Sequence, residues 1–174
     1  HFCAISSSNS RRFTADAARR VLGLGDVVDV LEHLADQSLL QVTDTPAGVR
    51  FRMLETVREF STAHREAAGE TKQVVGRFLA WARDFGVAHH ESPFGTDPFP
   101  AVARTRAEQD NLVQALRYGL ARRDGGTVAA TSAVLGGLWN IDSNYQRMGT
   151  LADETPRVLS HFRPGPELLD VTRT

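Results

Sequence analysis

The sequence predicts a mainly α-helical chain with a single β-hairpin near its first third, followed by helices alone. Three observations carry that prediction. Apolar residues recur at the spacing of one helix face through most of the chain. Around residues 39–53 the period changes to alternation about a turn. After residue 54 the helical period returns and persists to residue 162.

The segment from Phe2 to Arg12 carries the polar cluster Ser6-Ser7-Ser8-Asn9-Ser10 and reads as irregular chain. Thr14 is placed to cap a short helix with Ala15, Ala18, Val21 and Leu22 on one side and Gly23 closing it. Asp26, with Asp29 three positions on, is placed to cap a second helix. There Val27, Val30, Leu31 and Leu34 form one buried face, fading near Gln37 and Ser38. Leu39–Thr43 then reads as a strand, and Asp44-Thr45-Pro46-Ala47-Gly48 is turn chemistry. In the returning strand Val49, Phe51 and Met53 alternate with Arg50 and Arg52, which gives one apolar and one basic face.

Leu54, Val57, Phe60, Ala63 and Ala67 share the stripe of the next helix, which Gly69 ends. A further helix carries Val74, Val75, Phe78, Leu79, Ala82 and Phe85. Ser92 to Pro100, with three prolines and a glycine, reads as a linker. Amphipathic helices are expected near 101–122, 126–139 and 148–162. Two helices and a hairpin make the tail of a winged-helix pattern. The later helices suggest an antiparallel bundle or repeat of the tetratricopeptide (TPR-like) kind. The expected organisation is an irregular segment at 1–12, a winged-helix-like subdomain at 13–68 and a helical region at 70–174 with a linker near 91–100. The chain opens on His1 and closes on Thr174 without a terminating element, so a piece of a longer protein is expected.

Composition narrows the function. The 174 residues are 41% hydrophobic and 24% charged with a net charge of −1, so bulk charge points to neither nucleic acid nor a membrane surface. No apolar run approaches the length of a bilayer span, and no signal peptide is visible. The single cysteine, Cys3, fits a reducing, cytoplasmic setting. Gly23-Leu24-Gly25 lacks the remainder of a nucleotide-binding fingerprint and reads as a helix end and turn. His89, His90 and Glu91 are adjacent, and helix neighbours point in different directions, so a metal site is not expected. No serine stands in a nucleophile elbow, and no paired carboxylates are singled out. The chain is therefore expected not to be an enzyme.

A winged helix invites a DNA-binding reading, since the helix before the wing commonly enters the major groove. Here that helix carries Asp26, Asp29, Glu32 and Asp36 with no Lys or Arg. Carboxylates repel the phosphates whose neutralisation supplies most DNA affinity. Arg50 and Arg52 on the wing, with Arg19 and Arg20, are the candidate phosphate contacts, yet they read more simply as surface cations. Direct DNA binding is not expected.

Two stretches carry a resemblance: Val30-Leu31-Glu32-His33-Leu34-Ala35-Asp36-Gln37-Ser38-Leu39-Leu40, and Val49-Arg50-Phe51-Arg52-Met53-Leu54-Glu55-Thr56-Val57-Arg58-Glu59-Phe60. They resemble the end of the nucleotide-binding module in bacterial signal-transduction ATPases with numerous domains. These are the NB-ARC-like (STAND) ATPases of actinobacterial transcriptional regulators of the SARP and LuxR-associated types. Phe13-Thr14-Ala15-Asp16-Ala17-Ala18 resembles an upstream family segment. Arg106-Ala107-Glu108-Gln109-Asp110-Asn111-Leu112-Val113-Gln114-Ala115-Leu116 resembles the opening of the family's TPR-like sensor region, and Leu138-Trp139 resembles a later aromatic helix. The likeness covers about residues 13–140, in family order.

The resemblance implies a lid-and-sensor module of a regulator whose phosphate-binding loop and ATP or ADP lie in another part of the parent. It implies as partners the parent's own ATPase domain and, on the helical region, a protein or small-molecule effector. Some self-association is expected through the face that normally meets the missing parts. Met53, Leu54 and Glu55 occupy the family's nucleotide-sensing position. The family's phosphate-contacting histidine is replaced by Leu54, which has no hydrogen to donate, so Met53 and Leu54 are expected to fill the core instead. The alternative is a stand-alone winged-helix DNA-binding regulator with a helical ligand-binding tail.

Overall fold

The computed structural model describes residues 12–172, apart from Leu24, Pro46, Ala47, Thr96, Asp97 and Asp170. Cys3 and the serine cluster lie outside the described residues. The structure is mainly helical with a small antiparallel sheet. It divides into two compact units, 1–81 and 82–174.

In the first unit, β1 (Arg12–Phe13) leads into α1 (Ala15–Leu22) and α2 (Val27–Asp36), followed by β2 (Leu40–Thr45), β3 (Gly48–Met53) and α3 (Glu55–Ala67). Thr14 caps α1: its side chain accepts from Ala17 N at 3.1 Å, satisfying one of the first-turn N–H groups that the helix cannot. Ala17, Ala18, Val21 and Leu22 are buried. Gly23 ends α1 at φ 69°, donating its N–H to Arg19 O at 2.8 Å. Asp26 stands at the N-cap of α2, but its side chain makes no capping hydrogen bond, contrary to expectation. Val27 and Leu31 are buried there, whereas Val30 is exposed. The stripe read from the sequence is thus wider than the contact that covers it.

The sheet order is β1-β3-β2, with Phe13 opposite Phe51 and Leu40 opposite Met53. The Phe13 and Phe51 rings stack with centroids 6.0 Å apart. Arg12, expected in the irregular segment, therefore begins a third strand that closes the hairpin into a winged-helix-like sheet. The alternation expected of β3 is corrected: Val49 is exposed and Arg50 is only 3% exposed, while Phe51 and Met53 are buried. Arg50 lies opposite Thr43 of β2, and an arginine's long aliphatic stem can pack within a core that a short polar side chain could not fill. Val49 lies at the open, turn-side end of the strand, opposite Asp44.

The division between units falls inside α4 (Thr71–His89), later than the boundary near residue 69 drawn from sequence. Val74, Val75 and Phe78 are buried in the first unit, and Arg77 Nη1 donates to Leu22 O at 2.8 Å, closing the C-terminal end of α1.

In the second unit a short 3-10 turn (Ser92–Phe94) precedes α5 (Pro98–Arg122), α6 (Gly125–Ile141), α7 (Tyr145–Glu154), α8 (Pro156–Leu159) and a 3-10 turn (Pro166–Leu168). The expected linker is thus shorter than 91–100, because prolines fit the first turn of a helix, where N–H groups have no partner anyway. α5 and α6 pack antiparallel: Gly119 lies near Thr127 and Val128, and at the far end Arg106 pairs with Asp142. Asp124 caps α6, accepting from Thr127 N at 3.1 Å and from its hydroxyl at 2.7 Å. The single helix expected near 148–162 is broken at Thr155-Pro156 and has ended before Phe162. Leu112, Ala115, Val128, Val134, Leu135 and Leu138 form the core. Among the described residues no helix is long and apolar enough to cross a membrane.

Candidate interaction surface

α3 determines the most distinctive surface of the first unit. Its apolar residues share a stripe as the periodicity requires, yet the only buried residue on α3 is Arg65. Phe60 is 74% exposed, and Ala63 and Ala67 are exposed with it. Leu54 and Val57 at the start of the stripe are half-buried, while Phe60, whose ring stacks on His64 of the same helix, and the two alanines stand largely in solvent. Beside Phe60 lies a groove of about 400 Å³ walled by Leu34 of α2, Leu39 and Leu40, Met53 at the end of β3, and Val57 of α3. A large exposed phenyl next to an apolar groove is costly in water, and such patches mark contact sites.

Of Met53, Leu54 and Glu55, Met53 lines this groove. Met53 is buried and forms part of the wall. Leu54 is the N-cap of α3 in extended conformation (φ −63°, ψ 148°), with no side-chain capping bond to give. Glu55, in the first turn of α3, pairs with Arg58. At the junction of hairpin and helix Met53 is buried and Leu54 is half-buried.

The candidate phosphate contacts are not brought together. Arg50 is buried and so withdrawn from the surface; Arg52 is half-buried on β3. Arg19 and Arg20 are exposed on α1, where Arg20 pairs with Asp16 at 3.3 Å. On α2, Asp29, Glu32, His33 and Asp36 are all exposed, and Asp26 precedes them on the same surface. The solvent face of the helix before the wing is therefore acidic.

In the second unit the stretch Arg106 to Leu112 holds α5 to α6. Arg106 pairs with Asp142 and Gln109 Oε1 accepts from Trp139 Nε1 at 3.1 Å, while within α5 Asn111 donates to the buried Glu108 carboxylate at 2.6 Å. Among the described residues no group of three or more His, Cys, Asp or Glu is placed to hold a metal ion. His89 packs on Phe85 and His90 turns to Val87 O, so the adjacent histidines diverge.

The periodicity places Phe60 on a stripe but does not say that the stripe is left uncovered there. The acidic face of α2, by contrast, was legible residue by residue. Comparison of the chain with protein-family models, with curated proteins and with solved structures finds no match.

Proposed function

We propose that this chain is a non-catalytic regulatory and interaction module of a multidomain signal-transduction ATPase that regulates transcription. The winged-helix-like unit acts as a lid on the parent's nucleotide-binding core, and the helical unit acts as the sensor. The observation that carries this reading is the uncovered face of α3 with its groove: Phe60 is 74% exposed beside Met53, Val57 and Leu34. The lid docks through that face. The nucleotide state of the core changes how tightly it docks, and an effector on the helical unit biases the same equilibrium. ATP or ADP is held by the core. A single cysteine among 174 residues supports a cytoplasmic setting.

The test begins with the reading frame that encodes this chain. A Gly-x-x-x-x-Gly-Lys-Ser/Thr segment encoded in frame before His1 is expected, and a start codon just before His1 overturns the ATPase reading. With the core in hand, titration calorimetry is expected to show the chain binding it, and Phe60→Glu weakening that binding at least about tenfold. Unchanged affinity of the variant removes the docking role of α3.

The second reading, a stand-alone DNA-binding regulator, is favoured by the winged-helix-like arrangement itself. The acidic face of α2 and the burial of Arg50 oppose it, since the groove-entering helix would meet phosphates with carboxylates. Fluorescence anisotropy with short mixed duplexes is expected to show no saturable binding at low salt. Tight binding that falls steeply with salt reverses the ranking of the two readings.

A further inference from the structure

α6 has two different sides. On one, Gly86 of α4 approaches so closely that a methyl group there would collide with the carbonyl of Ala130. On another, Ala129, Ala133 and Gly136 present little more than backbone. Only Leu151 Cδ2, 3.9 Å away, stands near the position of a Cβ on Gly136. The small residues form the floor of a cavity of about 610 Å³, walled by Met148 of α7, Leu159 of α8, Phe162 and Val171. The wall exists because Pro156 breaks the helix and the chain turns back, packing Leu168 and Val171 against Ala130 with Phe162 beside them. Its volume lies in the range of about 300–1,000 Å³ typical of small-molecule sites.

Four polar side chains line this space, those of His90, Ser132, Asn140 and Thr172, and the first two are unusual. His90 is only 8% exposed. Its Nδ1 lies 3.0 Å from Val87 O. A carbonyl only accepts, so Nδ1 carries a proton, and in the neutral ring Nε2 then offers a lone pair. That Nε2 is buried with no hydrogen-bond partner among the described residues; the nearest carboxylate, Glu91, stands 3.9 Å away, beyond hydrogen-bond reach. Ser132 Oγ is likewise buried and without a hydrogen-bond partner among the described residues. Buried polar atoms without partners cost free energy, and such atoms in a cavity of ligand size point to an occupant that supplies the missing bonds.

We infer that this cavity binds a neutral apolar molecule bearing a hydroxyl group, an alcohol or a phenol. The hydroxyl donates its proton to His90 Nε2 and accepts one from Ser132 Oγ, while the apolar body rests on the α6 floor. A carboxylate has no proton to give Nε2 and would stand beside the Glu91 carboxylate; an ammonium has no lone pair for the serine. The inference deepens the sensor role of the helical unit. The ligand's regulatory meaning rests on that role; binding itself does not.

The experiment uses the full chain with naphthol, naphthoate and naphthalene as probes, followed by titration calorimetry and by saturation-transfer NMR for the least soluble probe. Naphthol is expected to bind saturably at up to millimolar concentration, with naphthoate at least about tenfold weaker. Ser132→Ala is expected to weaken naphthol about three- to tenfold and leave naphthalene unchanged. Gly136→Leu, whose Cβ comes no nearer to the described neighbours than ordinary contact with Leu151 at 3.9 Å, is expected to block both probes while the circular dichroism spectrum stays that of the native chain. Equal affinity for naphthoate, an unchanged Ser132→Ala, or no saturable naphthol binding overturns the inference. Naphthol binding that leaves association with the ATPase core unaltered keeps the site and removes the sensor role.

Discussion

His89 packs on Phe85 with ring centroids 4.4 Å apart, and its pKa lies below the ordinary value of 6.5. Burial is the larger cause, because the charged form loses its hydration; the Arg104 guanidinium adds repulsion. The unfolded chain therefore takes up this proton before the folded chain does, so stability rises with pH across that interval. The His89 contribution is complete above about pH 7 and is lost progressively as pH falls below 6.5. Thermal midpoints measured between pH 7.5 and 5 are expected to fall less steeply for His89→Gln than for the native chain, a difference that appears only below pH 6.5. At the same scale, Thr14 and Asp26 occupy equivalent N-cap positions with different outcomes, since only Thr14 makes the capping bond. Urea denaturation of Thr14→Ala is expected to show a loss of about 1 kcal/mol. Asp26→Ala is expected to stay within about 0.5 kcal/mol of the native chain, as a surface substitution does.

At the level of elements, helix pairs in the second unit are set by glycines and by a few polar ties. Gly86 allows α4 to lie against the Ala130 backbone, and a Cβ there has no room. The obstacle is a main-chain carbonyl rather than a flexible side chain, so relief requires the helices to separate. Gly86→Ala is expected to destabilise the chain by about 1–3 kcal/mol. Gly136→Ala, on the same helix as Ala130 but facing the cavity, is expected to be neutral or mildly stabilising, since alanine favours the helix and meets nothing closer than 3.9 Å. Thermal unfolding of the pair separates close packing from a general intolerance of α4 and α6 to added bulk. A comparable loss in both variants contradicts the open floor.

For the molecule as a whole, the exposed face of α3 sets its behaviour in solution. With Phe60 in water beside an apolar groove, the isolated chain is expected to self-associate at tens of micromolar and to enhance the fluorescence of an apolar dye. Phe60→Glu is expected to reduce both dye binding and the weight-average mass seen in light scattering, with an unchanged far-ultraviolet spectrum. A clean monomer that binds no dye contradicts the interaction surface. The acidic face of α2 disfavours contact with a phosphate backbone.

The sequence by itself determined the kinds and order of the elements: helices at the apolar stripes, a hairpin at the change of period, and helix ends at Thr14, Gly23 and Gly69. These features depend on neighbours within a few residues, through caps, turn propensities and periodicity. The sequence also displayed the four carboxylates of the helix before the wing. Only the tertiary structure decided the rest. Arg12 and Phe13 are too few to show a strand period and become a strand by pairing with Arg52 and Phe51. Arg50 is buried although the alternation of β3 places it on the basic face, and no local period distinguishes it from Arg52. Periodicity assigned Phe60 to a stripe, but whether a stripe is covered depends on which element arrives over it. The cavity of His90 and Ser132 likewise arises where α6, α7 and the returning C-terminal residues converge from distant parts of the chain, so no local pattern announces it.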